Sequence, residues 1–198
     1  MPVRILLATS NSGKLREYRE LAAGTTLQID LLPKFHDVPA FEESAPTFAE
    51  NGAGKALHYS RFTHEMVLAD DSGLVVLALG GAPGVHSARY AGPRATSADR
   101  VRKLLREMEG KTGDERRARF VCVIAIARKG RTMAVVSDSA EGIIASEPRG
   151  TNGFGYDPIF CFPNGLRTYA EASEDEKNLA SHRGKAFRKL TELLIPPK

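Results

Sequence analysis

Leu68-Ala69-Asp70-Asp71-Ser72-Gly73-Leu74 sets two adjacent acids between apolar runs, Met66 to Ala69 before them and Leu74 to Leu79 after. Both runs have strand character, so the fragment predicts strand, acidic turn, strand. Asp70, Asp71 and Ser72 then sit at a strand end, on a turn that Gly73 permits. Neighbouring residues of an extended chain point to opposite sides, which predicts one acid facing a cleft and the other supporting it. Two carboxylates beside an apolar core are costly unless they are paired, hydrogen-bonded or bound to a cation. Asp, Ser and Gly also favour plain surface turns. On this stretch alone both readings stand.

Upstream, Val3 to Ala8 is a short strand-like run that ends in Thr9-Ser10-Asn11-Ser12-Gly13-Lys14. A helical pattern follows, with Leu15, Tyr18, Leu21 and Ala22 on one face. A turn between strand and helix leaves backbone N–H groups at a helix N-terminus, where the dipole favours negative charge, and Lys14 adds a full positive one. The segment can be a phosphate cradle, without the glycines of a Walker loop, or an ordinary helix cap. Leu27 to Leu32 reads as a second strand. Pro33, Pro39 and Pro46 then break up a loop that carries Glu42 and Glu43. Thr47 with Glu50 predicts a capping box and a helix to about Phe62, in which Gly52 and Gly54 cost about 1 kcal/mol each. Close packing or a nearby ligand would explain why they are tolerated. Lys55 lies on the same helix. Glu43 and Asp71 could converge as oxygen ligands for one hard cation.

Downstream, Gly80-Gly81-Ala82-Pro83-Gly84 and Ser87-Ala88-Arg89-Tyr90-Ala91-Gly92 predict irregular loops. Thr96 and Asp99 open a helix whose stripe of Val101, Leu104, Leu105 and Met108 reads as packing. Arg119 to Ala127 is apolar without alternation, as expected of a strand buried on both faces in the middle of a sheet, and Thr132 to Ser137 should pair with it as a hairpin. Gly150 to Pro158 interleaves glycine with aromatics. It predicts either a stacking platform, with Asp157 as acceptor for ring N–H groups, or a turn whose aromatics are tucked into the core. Ser173 with Glu176 opens a short helix. Lys177, His182 and Arg183 follow before a last amphipathic helix with Phe187, Leu190, Leu193 and Leu194.

The 198 residues, 42% of them hydrophobic, suffice for one substantial core, and no linker-like stretch divides them, so a single domain over 1–198 is expected. No run approaches the ~20 apolar residues of a membrane span, and no signal peptide is visible; a soluble, cytoplasmic protein is expected. Cys122 and Cys161 lie in apolar runs and read as reduced core residues. Lys plus Arg is 28 against 24 acids, a net charge of +4. That excess suits an anionic partner. The basic segment at 115–119 carries acids and lacks interleaved aromatics, which argues against a nucleic-acid groove.

Taken in order, Thr9-Ser10-Asn11-Ser12-Gly13-Lys14, Ala69-Asp70-Asp71-Ser72-Gly73-Leu74, Gly80-Gly81-Ala82-Pro83-Gly84, Ser87-Ala88-Arg89-Tyr90, Gly153-Phe154-Gly155-Tyr156-Asp157-Pro158 and Ser181-His182-Arg183-Gly184 resemble the inosine/xanthosine triphosphate pyrophosphatase (Ham1-like) family over nearly the whole chain. Ser10 departs from the pattern, standing where the family more often has Gly. The resemblance implies an α/β fold: a long mixed twisted sheet flanked by helices, with two lobes and a central active-site cleft, assembled as a homodimer. It implies magnesium-dependent hydrolysis of ITP, dITP and XTP to the nucleoside monophosphate and pyrophosphate. By position, Asp71 is the general base and a metal ligand, and Glu43 is the second metal ligand. Thr9, Ser10, Asn11, Ser12, Gly13, Lys14 and Ser72 would hold phosphates. Phe154, Gly155, Tyr156, Asp157, Lys177, His182 and Arg183 would hold base and sugar.

Overall fold

The computed structural model describes residues 2–195. The chain is mixed α/β, with a six-stranded sheet in the order β2 (Leu27–Leu31), β1 (Val3–Leu7), β3 (Met66–Val76), β4 (Arg117–Arg128), β5 (Arg131–Ile144) and β6 (Phe160–Cys161). It divides into two compact units, each assembled from separated stretches of sequence. The first comprises residues up to Asp71, Cys122–Asp138, and the chain from Arg183 onward; the second comprises Ser72–Val121 and Ser139–His182. Both boundaries of the second unit's first segment fall inside strands, β3 (Met66–Val76) and β4 (Arg117–Arg128).

In the first unit, β1 (Val3–Leu7) leads through α1 (Ser12–Ala22) to β2 (Leu27–Leu31), which pairs with β1 in parallel, Val3 opposite Leu27 and Leu7 opposite Leu31. On its other side β1 pairs in parallel with β3, Leu7 opposite Leu68. Parallel strands of this kind are covered on both faces, so their residues divide between two cores. Ile5, Leu7 and Leu68 pack with Cys122, Ile124, Tyr18 of α1, and Phe187 and Leu190 of the final helix, His182–Leu194. Leu6, Ala8, Val67 and Ala69 pack with Ala125 and with Ala56 and Tyr59 of α2 (Phe48–Tyr59). Thr47 caps α2 by accepting the Glu50 N–H, as its sequence predicts.

The second unit has one core. Leu74 and Val76 of β3 pack with Val101, Leu104 and Met108 of α3 (Ser97–Glu107) and its end, Phe120 of β4, Ile144 of β5 (Arg131–Ile144) and Phe160 of β6 (Phe160–Cys161). Reciprocal capping boxes, Thr96 with Asp99 and Ser173 with Glu176, start α3 and α4 (Glu174–Ala180). The final helix is α5. β4 lies between β3 and β5 in the sheet, as its unalternating apolar run requires. Cys122 and Cys161 are buried and free. Among the described residues no helix is long and apolar enough to cross a membrane.

One expectation fails. The acidic pair does not mark a strand end: β3 runs unbroken from Met66 to Val76, straight through Asp70, Asp71, Ser72 and Gly73. Gly73 stays out of the left-handed region, and the chain turns only later, where Gly80 and Gly81 have φ of 63° and 91°. Polar residues interrupt the apolar run without interrupting the strand, because charged and amide groups from flanking helices satisfy them, as described next.

Candidate active site

Alternation along β3 sends the two acids to opposite faces. Asp70 follows Leu68 by two residues and shares its face with α1 and α5; Asp71 follows Ala69 and shares its face with α2. Both are buried, at 1% and 6% exposure, so the surface-turn reading of this stretch is excluded.

On the first face Asp70 is wrapped in cations. Lys14 Nζ lies 3.0 Å from Asp70 Oδ2, and Arg183 Nη2 lies 3.3 Å from the same oxygen. Arg183 also donates through Nη1 to Glu17 Oε2, and both of these side chains are buried. Burial by itself would raise the Asp70 carboxyl, but Lys14 and Arg183, with Lys55 behind them, hold it well below the usual carboxylate range. Asp70 is therefore a permanent anion that anchors two cations.

On the second face Asp71 meets an amide of α2. Asn51, fully buried on α2, donates through Nδ2 to Asp71 Oδ2 at 3.0 Å. Burial pushes the Asp71 carboxyl up to about 6; Lys14 pulls it down, the Glu43 charge pushes it up again, and the Asn51 hydrogen bond favours the ion. The Glu43 charge is thus felt at Asp71. Glu43 Oε1 accepts from Lys55 Nζ at 2.6 Å. Magnesium takes one or two protein carboxylates and completes its shell with water and substrate oxygens. Asp71 and Glu43 provide that number and type of donor, in a place where a cation would relieve carboxylate repulsion, so the residues fit the ion. Among the described residues no three His, Cys, Asp or Glu side chains gather into a cage that would hold a metal alone.

The glycines of α2 have the packing reason foreseen for them. A Cβ on Gly52 would stand 3.3 Å from both Asp71 N and Val123 O, so glycine lets α2 settle onto β3 and β4 at Asp71 itself. A Cβ on Gly54 would fall 2.6 Å from Phe41 Cζ.

The turn after β1 is an N-cap: Asn11 Oδ1 accepts the Lys14 N–H at 3.1 Å, and Thr9 Oγ1 accepts the Asn11 N–H at 3.1 Å. Thr9 is buried, whereas Ser10, Asn11 and Ser12 are exposed and Gly13 is half-buried. Capping and anion binding are compatible, since an exposed helix start beside a lysine is also an anion site. Ser72, the next residue on β3, is half-buried.

In the second unit Asp157 and Lys177, both buried, form an ion pair of 2.6 Å. Asp157 Oδ2 also accepts the Phe154 N–H at 2.7 Å, and Lys177 Nζ lies 5.0 Å from the centre of the half-buried Phe154 ring, a cation–π arrangement. Gly153 has φ of 74° and any side chain there would strike Asp157, which explains glycine at that point. His182 stacks on Phe120 with ring centres 4.7 Å apart and planes 12° from parallel. Tyr156 takes the tucked alternative, buried in the core with its hydroxyl donating to Ser87 O at 3.0 Å. The loop therefore divides its aromatics between core and surface. Arg183, grouped by sequence with Lys177 and His182, spends its guanidinium on Glu17 and Asp70 in the first unit.

Two residues of this arrangement were missed in the sequence, Asn51 and Glu17. Asn51 carried a signal: it lies on the face of α2 that also holds Ala56 and Tyr59, and a polar side chain on a buried face must find partners. Glu17 carried a weaker one, an acid adjacent to the apolar stripe of α1.

A profile of the Ham1 family matches residues 5–193. The chain is 50% identical to a dITP/XTP pyrophosphatase of Geobacillus kaustophilus over 188 residues, 95% of this chain and 92% of that one. It is 45% identical to a dITP/XTP pyrophosphatase of Bacillus licheniformis over 96% of this chain and 97% of that one. Among solved structures, a HAM1 protein of Coxiella burnetii superposes with a TM-score of 0.86 at 43% identity, covering 98% of this chain and all of that one.

Proposed function

The chain belongs to the Ham1 family, and from that membership we propose that it hydrolyses the deaminated purine nucleotides ITP, dITP, XTP and dXTP. The products are the nucleoside monophosphate and pyrophosphate, and the activity clears such purines from the cytoplasmic nucleotide pool. The observation that carries this reading is Asp71, a buried carboxylate poised near neutrality beside a second acid, in a chain half identical to a dITP/XTP pyrophosphatase.

Above about pH 6 Asp71 is ionised and can orient and deprotonate a water attacking the α-phosphorus. Magnesium held by Asp71 and Glu43 would supply charge neutralisation at the triphosphate. Lys14, near the exposed helix start at Ser10–Ser12, is placed to exchange part of its contact with Asp70 for phosphate oxygens. Asp70 does not lose its charge in that exchange, because Arg183 stays on it. Ser72 and the Thr9–Gly13 turn are assigned to phosphate as well.

Phe154, Gly155, Tyr156, Asp157, Lys177 and His182 are assigned to base and sugar. Phe154 offers a ring face, and the Asp157–Lys177 pair fixes the loop that carries it. A 6-oxo purine presents an acceptor where adenine presents an amino group. Donors left facing that amino group would cost about 1 to 3 kcal/mol each. The family resemblance also supports a homodimer, which light scattering would test.

Pyrophosphate release from ITP, XTP, dITP, GTP and ATP, each with magnesium and with excess chelator, tests the proposal. Metal-dependent release that is strong for the first three and weak for the last two is expected. Equal cleavage of ATP and GTP would remove the base assignments, and undiminished release in chelator would remove the metal.

A further inference from the structure

The loop that carries Glu43 is strapped along α2 at successive points. His58 Nε2 is 2.7 Å from Pro39 O, Tyr59 Oη accepts the Phe41 N–H at 3.2 Å, and the Phe41 ring lies over Gly54. Lys55 then takes Glu43 itself. The last strap is Asn51. Its Oδ1 accepts the Ala45 N–H at 3.0 Å, its Nδ2 donates to Ala45 O at 3.2 Å, and the same Nδ2 donates to Asp71 Oδ2 at 3.0 Å.

One planar amide therefore holds two objects at once. An asparagine that only pinned the loop would need no contact with Asp71, and one that only oriented Asp71 would need none with Ala45. Asn51 spends both of its amide hydrogens and its oxygen on the pair. The carboxylate of Asp71 and the backbone two residues beyond Glu43 are thereby fixed to a common rigid group. Gly52 adds to the constraint from the next position, since it seats the helix directly on the Asp71 backbone. The planar amide cannot shift toward one partner without lengthening a bond to the other.

We propose that Asn51 is a positioning residue that sets the separation of the Glu43 and Asp71 carboxylates, so that one divalent cation meets both without rearrangement of the loop. The proposal rests on the reading above that these two acids hold magnesium. Residues that orient ligands from behind in this way are worth about 10- to 100-fold in metal affinity.

Magnesium binding to the nucleotide-free protein, measured by isothermal titration calorimetry, tests it in Asn51→Ala, Asn51→Leu and Phe41→Ala. The last variant loosens the same loop without touching Asp71. Both Asn51 variants are expected to bind magnesium at least about tenfold more weakly, and Phe41→Ala to shift in the same direction by less. At saturating magnesium kcat per folded molecule, with the folded fraction measured by circular dichroism, should fall while KM for ITP stays within about threefold, a change that loss of folded enzyme alone would not produce once it is so normalised. A folded Asn51 variant that binds magnesium within about twofold of the wild type overturns the proposal. Should neither Asn51 variant fold, unaltered magnesium binding by Phe41→Ala overturns it instead. ITP hydrolysis that persists in chelator, with no magnesium binding by the wild type, refutes the underlying metal assignment and the proposal with it. Normal wild-type binding with unaltered variants refutes the proposal alone.

Discussion

Replacing Asp71 with Asn should make the protein more stable while abolishing its turnover. Asp71 is 6% exposed, and its carboxyl is raised from 3.8 to about 6. The folded state therefore holds this proton more tightly than the unfolded state does. Between about pH 4 and pH 6 stability falls as pH rises, and above 6 the whole penalty is present. Roughly two pH units at 1.36 kcal/mol each give about 3 kcal/mol. Asn keeps an oxygen to accept from Asn51 and carries no charge, so the variant escapes the penalty. For a chain of this size each kcal/mol is worth about 2–4 °C, so the variant should melt at least about 5 °C higher at pH 7.5. The assay is thermal unfolding in chelator from pH 4 to pH 8, run beside pyrophosphate release from ITP. The advantage should shrink to nothing near pH 4, where wild-type Asp71 is protonated too. Turnover should fall by about 10²- to 10⁴-fold, the usual range for loss of a general base. Magnesium should stabilise the wild type and leave the variant nearly unmoved. A variant no more stable than the wild type at pH 7.5, or one whose advantage does not change with pH, would refute the assignment of Asp71 as a destabilised, poised acid.

Lys14→Ala should raise KM for ITP by about tenfold or more, with a smaller change in kcat, since it removes positive charge from the phosphate site; steady-state kinetics giving an unchanged KM would leave Lys14 as a partner of Asp70 alone. Asp70→Ala should behave oppositely to the Asp71 variant, costing about 3–5 kcal/mol by leaving the buried Arg183 and the half-buried Lys14 around a missing anion. Urea unfolding would check it, and a loss below about 1 kcal/mol would show that the cluster relaxes freely. Because the folded Asp70 carboxyl lies below its unfolded value, its stabilisation is present above about pH 4 and is lost as pH falls further, a slope that the variant should lack. Lys177→Met should reduce the preference for ITP over ATP by about tenfold, the worth of one donor and its paired acid; an unaltered ratio would place base selection elsewhere.

Where local chemistry alone determines the outcome, the sequence was informative. Thr47, Thr96 and Ser173 cap helices because their hydroxyls satisfy N–H groups three residues on, a relation contained in four residues of chain. The β4 strand was legible because Val-Cys-Val-Ile-Ala-Ile-Ala has no polar face to give to water. The β3 strand was misread at Asp70–Gly73, since charge in an apolar run signals a turn only when nothing beyond the segment neutralises it. The neutralising groups come from Lys14, 56 residues earlier, and Arg183, 113 residues later, and no window of sequence contains them. Asn51 was lost for a related reason. Its neighbours Gly52 and Gly54 were recognised as a packing oddity, yet what they packed against, Asp71 and Phe41, depends on the register between α2 and β3.

The two acids show how one strand can run two kinds of electrostatics at once. Successive residues differ by a few ångströms of backbone, but alternation hands them to different helices, and the helices decide their state. α1 and α5 present Lys14 and Arg183, so Asp70 is ionised at every working pH and is structural. α2 presents an amide and, through its strapped loop, another acid, so Asp71 keeps its charge only at a cost. Neighbouring carboxylates with separated proton affinities are the pattern expected of a divided task. A one-residue slip of β3 would exchange their faces, turning Asp71 toward α1 and α5 and Asp70 toward α2. The pairing of β3 with β1, Leu7 opposite Leu68, prevents it, because the same slip would turn the apolar residues of Val67–Ala69 to the wrong cores. Burial of Leu68 and Val67 on opposite faces thus selects which carboxylate is anchored and which is poised.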